Sequence, residues 1–195
     1  VGKNAVVVLF SLIVLSIFPI SASAEFQPDE LNGLAVWLKA DGVTGVNHGD
    51  SLPLWEASAG TNSDFSQSVS DQQPTYIASV PELNGQPAIR FDNDRLLSNN
   101  TNFSFSNFSI FIAYRENGNV KKNEQLINHG VQDGFWLARN KKKQNTWGGG
   151  VQENRQRNGI FGPMADFAPH IIYLERDTTR VELYGDGLLI NRKDV

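Results

Sequence analysis

The chain predicts an all-β fold, an antiparallel β-sandwich, on three observations. Apolar residues recur with a period of two in short runs. Asn, Asp, Gly and Pro punctuate those runs about every 8–12 residues. Beyond the first 24 residues, no window sustains the 3.6-residue period of a helix.

The N-terminus reads as an export leader. Lys3 supplies a small positive charge, Ala5–Ile20 is an apolar run, and Ala22-Ser23-Ala24 is a small-x-small cleavage site. The run is shorter than the ~20 residues that span a bilayer. Residues 1–24 are therefore expected to be a signal peptide, the only contact with a membrane, and residues 25–195 a single domain. A domain of that size buries roughly 70% of its unfolded surface and needs no covalent staples. It has none, because the chain contains no cysteine, which excludes disulfides, thiolate zinc sites and cysteine nucleophiles. The whole chain carries a net charge of −4 and loses the positive Lys3 with the leader. That acidity suits solubility and argues against nucleic acid as a partner.

The elements follow in order. In Leu34–Asp41, Leu34, Val36, Leu38 and Ala40 point one way and Ala35, Trp37, Lys39 and Asp41 the other. This is expected to be the first strand, seeding a sheet with partners from far along the chain. Glu56–Pro74 is polar and reads as a long surface loop. Thr75–Val80 is a strand, Asn84-Gly85 a turn, and Pro87–Leu97 a second strand with Ile89 and Phe91 on one face. Phe108–Arg115 is apolar on both faces, which predicts a central strand. Glu124–Gly130 and Asp133–Arg139 are short strands, Lys141–Asn145 a basic turn, and Thr146–Gln152 too glycine-rich for a helix. His170–Asp177 and Arg180–Arg192 close the chain, the latter folded about Asp186-Gly187 as a hairpin.

With the elements placed, the chain resembles the laminin G-like (concanavalin A-like lectin/glucanase) jelly rolls of bacterial surface and secreted proteins. The matching pieces are LAVWLKADGVTG, Trp55, QPTYIASVPELNGQPAIRFDNDRLL, FSIFIAYR, INHGVQDGFWL and HIIYLERDTTRVELYGDGLLI. The last piece in that family usually reads Tyr-x-Asn-Gly, where this chain has Tyr184-Gly185-Asp186-Gly187. The resemblance implies a jelly-roll sandwich that is secreted or held at the cell surface. Family members continue past this hairpin, so the chain reads as lacking its last strands, with an unpaired sheet edge near Leu34–Asp41.

As a signal of function this fold is weak, because it carries lectins, hydrolases, lyases and spacers alike. A hydrolase of this kind would be expected to show Glu-x-Asp-x-x-Glu, and the nearest match, Glu175 to Arg180, ends in an arginine. Arg180-Val181-Glu182-Leu183 is similar to a strand of alginate-lyase jelly rolls, whose Gln-x-His and tyrosine-bearing companions are absent. His48, His129 and His170 are too scattered to suggest zinc. The resemblance makes a rim Ca²⁺ site the candidate metal, with Asp92, Asn93 and Asp94 as donors; a hard cation needs about six oxygens, and these residues also serve as an ordinary turn.

A glycan site needs an aromatic platform with polar groups beside it. Trp147, followed by three glycines, is the candidate platform, with Arg139 and Lys142 as polar contacts. They lie in a stretch holding Arg139, Lys141, Lys142, Lys143, Arg155 and Arg157 against Glu153 alone, which suits an acidic polysaccharide. The sequence thus predicts a non-catalytic extracellular binding or adhesion module for a polysaccharide or cell-surface glycan. The alternatives are a carbohydrate-active enzyme and a ligand-free spacer.

Overall fold

Two-residue alternation works as a strand signal because successive side chains leave a pleated backbone on opposite faces. Two stretches of this chain use it to bury one face of each of two sheets against the other. The structure, a computed structural model, describes residues 27–60, 64–98, 106–116, 124–130, 134–140, 146–153, 156–162 and 168–195. The leader and the basic turn Lys141–Asn145, including Lys142, lie outside the described residues.

The N-terminal region is a set of short ladders. Strand β1 (Val36–Trp37) pairs with β3 (Ala59–Gly60). Strands β2 (Leu54–Trp55), β4 (Phe65–Ser66) and β7 (Leu97–Ser98) form a three-stranded sheet in the order β2-β4-β7. Strands β5 (Thr75–Val80) and β6 (Gln86–Arg90) make a hairpin over Asn84 and Gly85, both at positive φ. The expected strand Leu34–Asp41 is thereby corrected. Only Val36–Trp37 pairs as a strand, the chain turns into a 3-10 helix at Ala40–Gly42, and the partner comes from the nearby Ala59–Gly60. A side chain at Gly60 would meet the Ala35 carbonyl oxygen at 2.4 Å, so the close approach of β3 to β1 requires glycine. The expected loop Glu56–Pro74 contains β3, β4 and a 3-10 turn at Ser70–Gln72.

The remaining strands are longer and carry the core. Strand β8 (Phe108–Arg115) is followed by β9 (Glu124–His129), β10 (Gly134–Asn140), β11 (Thr146–Glu153) and β12 (Gln156–Gly162). Then come β13 (Pro169–Arg176), β14 (Arg180–Gly185) and β15 (Leu188–Asp194). One antiparallel sheet runs β12-β11-β10-β9, the other β15-β14-β13-β8. Their inner faces meet in one cluster: Leu137, Trp147, Val151 and Ile160 from the first, Ile172, Leu174, Val181 and Leu183 from the second. The chain is all-β, with two antiparallel sheets packed face to face.

Three details explain how the layers close. Gly149 lies under Leu174, where an added methyl group would stand 2.8 Å from a Leu174 methyl, so the glycine-rich strand admits the facing sheet. One corner is shut where β12 meets β15, with Asn191 Nδ2 donating to the Phe161 carbonyl at 2.7 Å and Lys193 Nζ to Asn158 Oδ1 at 3.0 Å. At opposite ends of the core an arginine is paired with a glutamate, Arg139 with Glu116 and Arg176 with Glu153.

Strand β8 corrects a second expectation. Among the described residues it stands at the end of its sheet rather than in the middle, and Phe111 on its other face is 65% exposed. Being apolar on both faces reflected an exposed apolar face, not a second buried one.

Candidate functional site

The residues chosen from the sequence do not form an open platform. Trp147 is 1% exposed, because residues 147, 149 and 151 of β11 share the inward-facing side of the strand. Its ring meets Tyr114 edge-on, centroids 4.4 Å apart at 84°. The space that three glycines seemed to offer a ligand is filled by protein. Leu174 lies over Gly149, and Trp136 and Phe161 crowd Gly148 and Gly159 on the other face.

Arg139, directly opposite Trp147 in the ladder, is 4% exposed and ion-paired with the equally buried Glu116. Burial pulls the pKa of its guanidinium below the usual value, partly countered by Tyr114. A guanidinium held this way is a structural cation and not a glycan contact. The basic surface expected around Arg139 and Lys142 therefore lacks its first member.

The Asp92-Asn93-Asp94 turn caps its own backbone. The Asp92 amide donates to Asp94 Oδ2 at 2.8 Å, and Asn93 sits at φ 64°. Among the described residues no three His, Asp or Glu side chains gather closely enough to hold a metal ion.

What the fold does assemble is the outer face of β15-β14-β13-β8. Directly opposed residues of antiparallel strands share a face. The register places Phe111 opposite Tyr173, Tyr173 opposite Tyr184, and Tyr184 opposite Leu189. This is one row across four strands. Phe111 and Tyr173 are stacked at 4.2 Å and 6°, and Tyr173 and Tyr184 lie 5.1 Å apart at 32°. Exposed Ile171 and Ala113 flank the row on one side. On the other runs a polar row, Ser109, Glu175, Glu182 and Arg192.

The two rows are tied together. Tyr173 OH donates to Glu175 Oε2 at 2.5 Å and Tyr184 OH to Glu182 Oε2 at 2.6 Å. Ser109 Oγ lies 3.4 Å from Tyr173 OH. Desolvation, then the bond to Glu175, pushes the Tyr173 phenol up to about 12, and the bond to Glu182 raises Tyr184. Both phenols therefore stay neutral donors at ordinary pH. Glu175 and Glu182 are directly opposite one another, an arrangement that like charges disfavour. The tyrosine hydroxyls and Arg180, whose Nε is 3.5 Å from Glu182 Oε1, offset that repulsion.

Both ends of the face are anchored. In the β13–β14 turn, Asp177 Oδ1 accepts from Thr179 N at 2.7 Å, Thr179 Oγ1 at 2.8 Å and Arg180 N at 2.9 Å. These bonds, the Thr179 amide first, hold its carboxyl below the usual range. Asp186, at φ 51° in the β14–β15 turn, accepts from the Ile171 amide at 2.9 Å and pairs with His170 Nδ1 at 2.7 Å. The His170 bond leads in lowering its pKa. The result is a fixed apolar row beside a fixed row of hydroxyls and carboxylate acceptors.

Sequence reading missed this face because its members are spread over four strands. Tyr184 and Leu189 flank a register shift in β14–β15, so simple alternation does not align them. One signal was visible: aromatic residues two apart from acids in Tyr173-Leu174-Glu175 and Glu182-Leu183-Tyr184, the same face of a strand.

Compared with protein-family models, curated proteins and solved structures, the chain gives no significant match to any of them. The reading of function therefore rests on the residues and their geometry.

Proposed function

We propose that the chain is an exported, non-catalytic binding module of the laminin G-like kind, and that the outer face of β15-β14-β13-β8 receives a glycan. The observation that carries this reading is the aromatic row Phe111–Tyr173–Tyr184, continued by Leu189 and bordered by Glu175 and Glu182. A sugar presents both C–H groups and hydroxyls. The first suit the apolar row, and the second suit the Glu175 carboxylate, which only accepts hydrogen bonds when ionised. The bond from Tyr173 holds that acceptor in place before a ligand arrives, which reduces the ordering cost of binding, while the buried Glu182 braces Tyr184.

The test is retention of the protein on a panel of insoluble neutral, acidic and amino polysaccharides. Phe111→Ala should weaken retention, by about 30-fold if the ring is a binding hot spot worth about 2 kcal/mol. Glu175→Gln should weaken it while leaving the fold intact. No retention on any member of the panel would end the glycan reading and leave a spacer.

A second reading has one observation in its favour. Glu175 and Glu182 are cross-strand neighbours on one face, and retaining glycosidases place two carboxyl groups ~5–5.5 Å apart. Glu182, however, is 9% exposed and covered by Tyr184 and Arg180, so a substrate does not reach both acids. Reducing-sugar release abolished by Glu175→Gln would establish the enzyme instead.

A further inference from the structure

The four edges of the two core sheets are treated differently. Edges β12 and β15 close on each other through Asn191, Lys193 and Asn158. Edge β9 is interrupted by a register shift against β10. Strand β8 has neither protection. It runs eight residues in unbroken register with β13, without proline or bulge, and among the described residues no strand pairs with its other side. Long, regular edges of this kind are templates for another strand, and proteins normally blunt them with charge, bulges or covering elements. Its only charge is Arg115 at the far end, occupied by Glu82 at 3.0 Å.

Phe111, near the middle of β8, adds direction. Tyr173 covers one face of its ring in a parallel stack. The opposite ring face is turned away from Tyr173, toward the open edge, and the side chain is 65% exposed.

We infer that β8 is a self-association edge, and that a second copy of this chain pairs its own β8 against it, antiparallel, about a two-fold axis beside Phe111. A two-fold makes the contact isologous and closed, so the association stops at two. With the axis normal to the sheet, Phe111 stands opposite its counterpart and both outer faces stay on one side. The free ring faces then meet, and the aromatic row runs unbroken across eight strands. Of the other outward residues of β8, Ser109 and Ala113 are uncharged and fall opposite each other across the axis, and Arg115, already paired with Glu82, falls opposite position 107, so no like charges oppose each other. This inference goes beyond the glycan reading and stands without it.

The absence of cysteine makes the test direct. In a directly opposed antiparallel pair the Cα atoms are about 4.5–5.5 Å apart, inside the 4.4–6.8 Å range that a disulfide spans. Phe111→Cys, oxidised in solution, should give a covalent dimer on a non-reducing gel, and Leu189→Cys, at the other end of the row, should not. The wild-type protein should show twice the monomer mass by light scattering. Phe111→Lys, which sets two ammonium groups face to face across the axis, should return it to monomer with a cooperative melt retained. A wild-type monomer throughout the micromolar to millimolar range would overturn the inference. So would equal cross-linking at positions 111 and 189, or a dimer that survives Phe111→Lys.

Discussion

Trp147→Ala separates a core tryptophan from a surface one. The side chain is 1% exposed, packed edge-on against Tyr114 and placed between Arg139 and Gly162 on the neighbouring strands. Truncating a buried aromatic residue to alanine costs about 3–5 kcal/mol, from lost transfer energy and the cavity left behind. The contact with Tyr114 accounts for about 0.5–1.5 kcal/mol of that. Set against a total stability of about 5–15 kcal/mol, the loss is a large fraction. For a domain of this size each kcal/mol lowers Tm by about 2–4 °C, so a fall of roughly 6–20 °C is expected. The assay is a thermal melt followed by far-ultraviolet and near-ultraviolet circular dichroism, so that coincidence of the two probes checks two-state behaviour. Trp147→Phe, which keeps a ring against Tyr114, should recover much of the loss. A fall in Tm of under about 2 °C would refute the placement. Loss of glycan retention with an unchanged melt would return Trp147 to the surface as a platform.

Four further outcomes follow from the same contacts. Glu116→Ala leaves the Arg139 guanidinium buried without its ion-pair partner and should cost about 3–5 kcal/mol in urea unfolding, whereas a cost near zero would mean that the pair is solvated. Asp177 and Asp186 have depressed pKa values in the fold, so their contribution is present above the ordinary carboxylate value of about 3.9 and is lost as pH falls through the lower folded values. Asp186→Asn should therefore flatten the acid side of the stability profile, and an unchanged profile would contradict the turn geometry. Tyr173 has a raised pKa, so its contribution is complete below about 10 and is lost as pH rises toward about 12; the phenolate absorbance should show Tyr173 and Tyr184 titrating late, and Glu175→Gln should shift Tyr173 downward. Because Asp94 already caps the Asp92 amide, adding calcium and then a chelator should leave Tm unchanged, whereas a rise with calcium would reveal a site at Asp92–Asp94.

Local alternation was enough to specify an all-β fold and most of its longer strands. Thr75–Val80, Phe108–Arg115, Glu124–His129, Pro169–Arg176 and the hairpin at Asp186-Gly187 were legible because period-two alternation and positive-φ turn residues are local properties. Strand β12 escaped notice because Gly159 and Gly162 break its apolar pattern, and those glycines are there to receive Trp136 and Ile190.

Tertiary structure alone decided which face of each strand was inside and which residues became neighbours. Trp147 and Arg139 looked like an exposed pair because a glycine run and nearby lysines suggest open, charged surface. Strand parity turned both inward, and the facing sheet filled the space over the glycines. Phe111, Tyr173, Tyr184 and Leu189 are separated by up to 78 positions in the chain, yet one row of cross-strand register collects them. Alternation tells which residues of a strand share a face. Only the pairing of strands tells which faces lie side by side, and the row across this sheet is a product of that pairing.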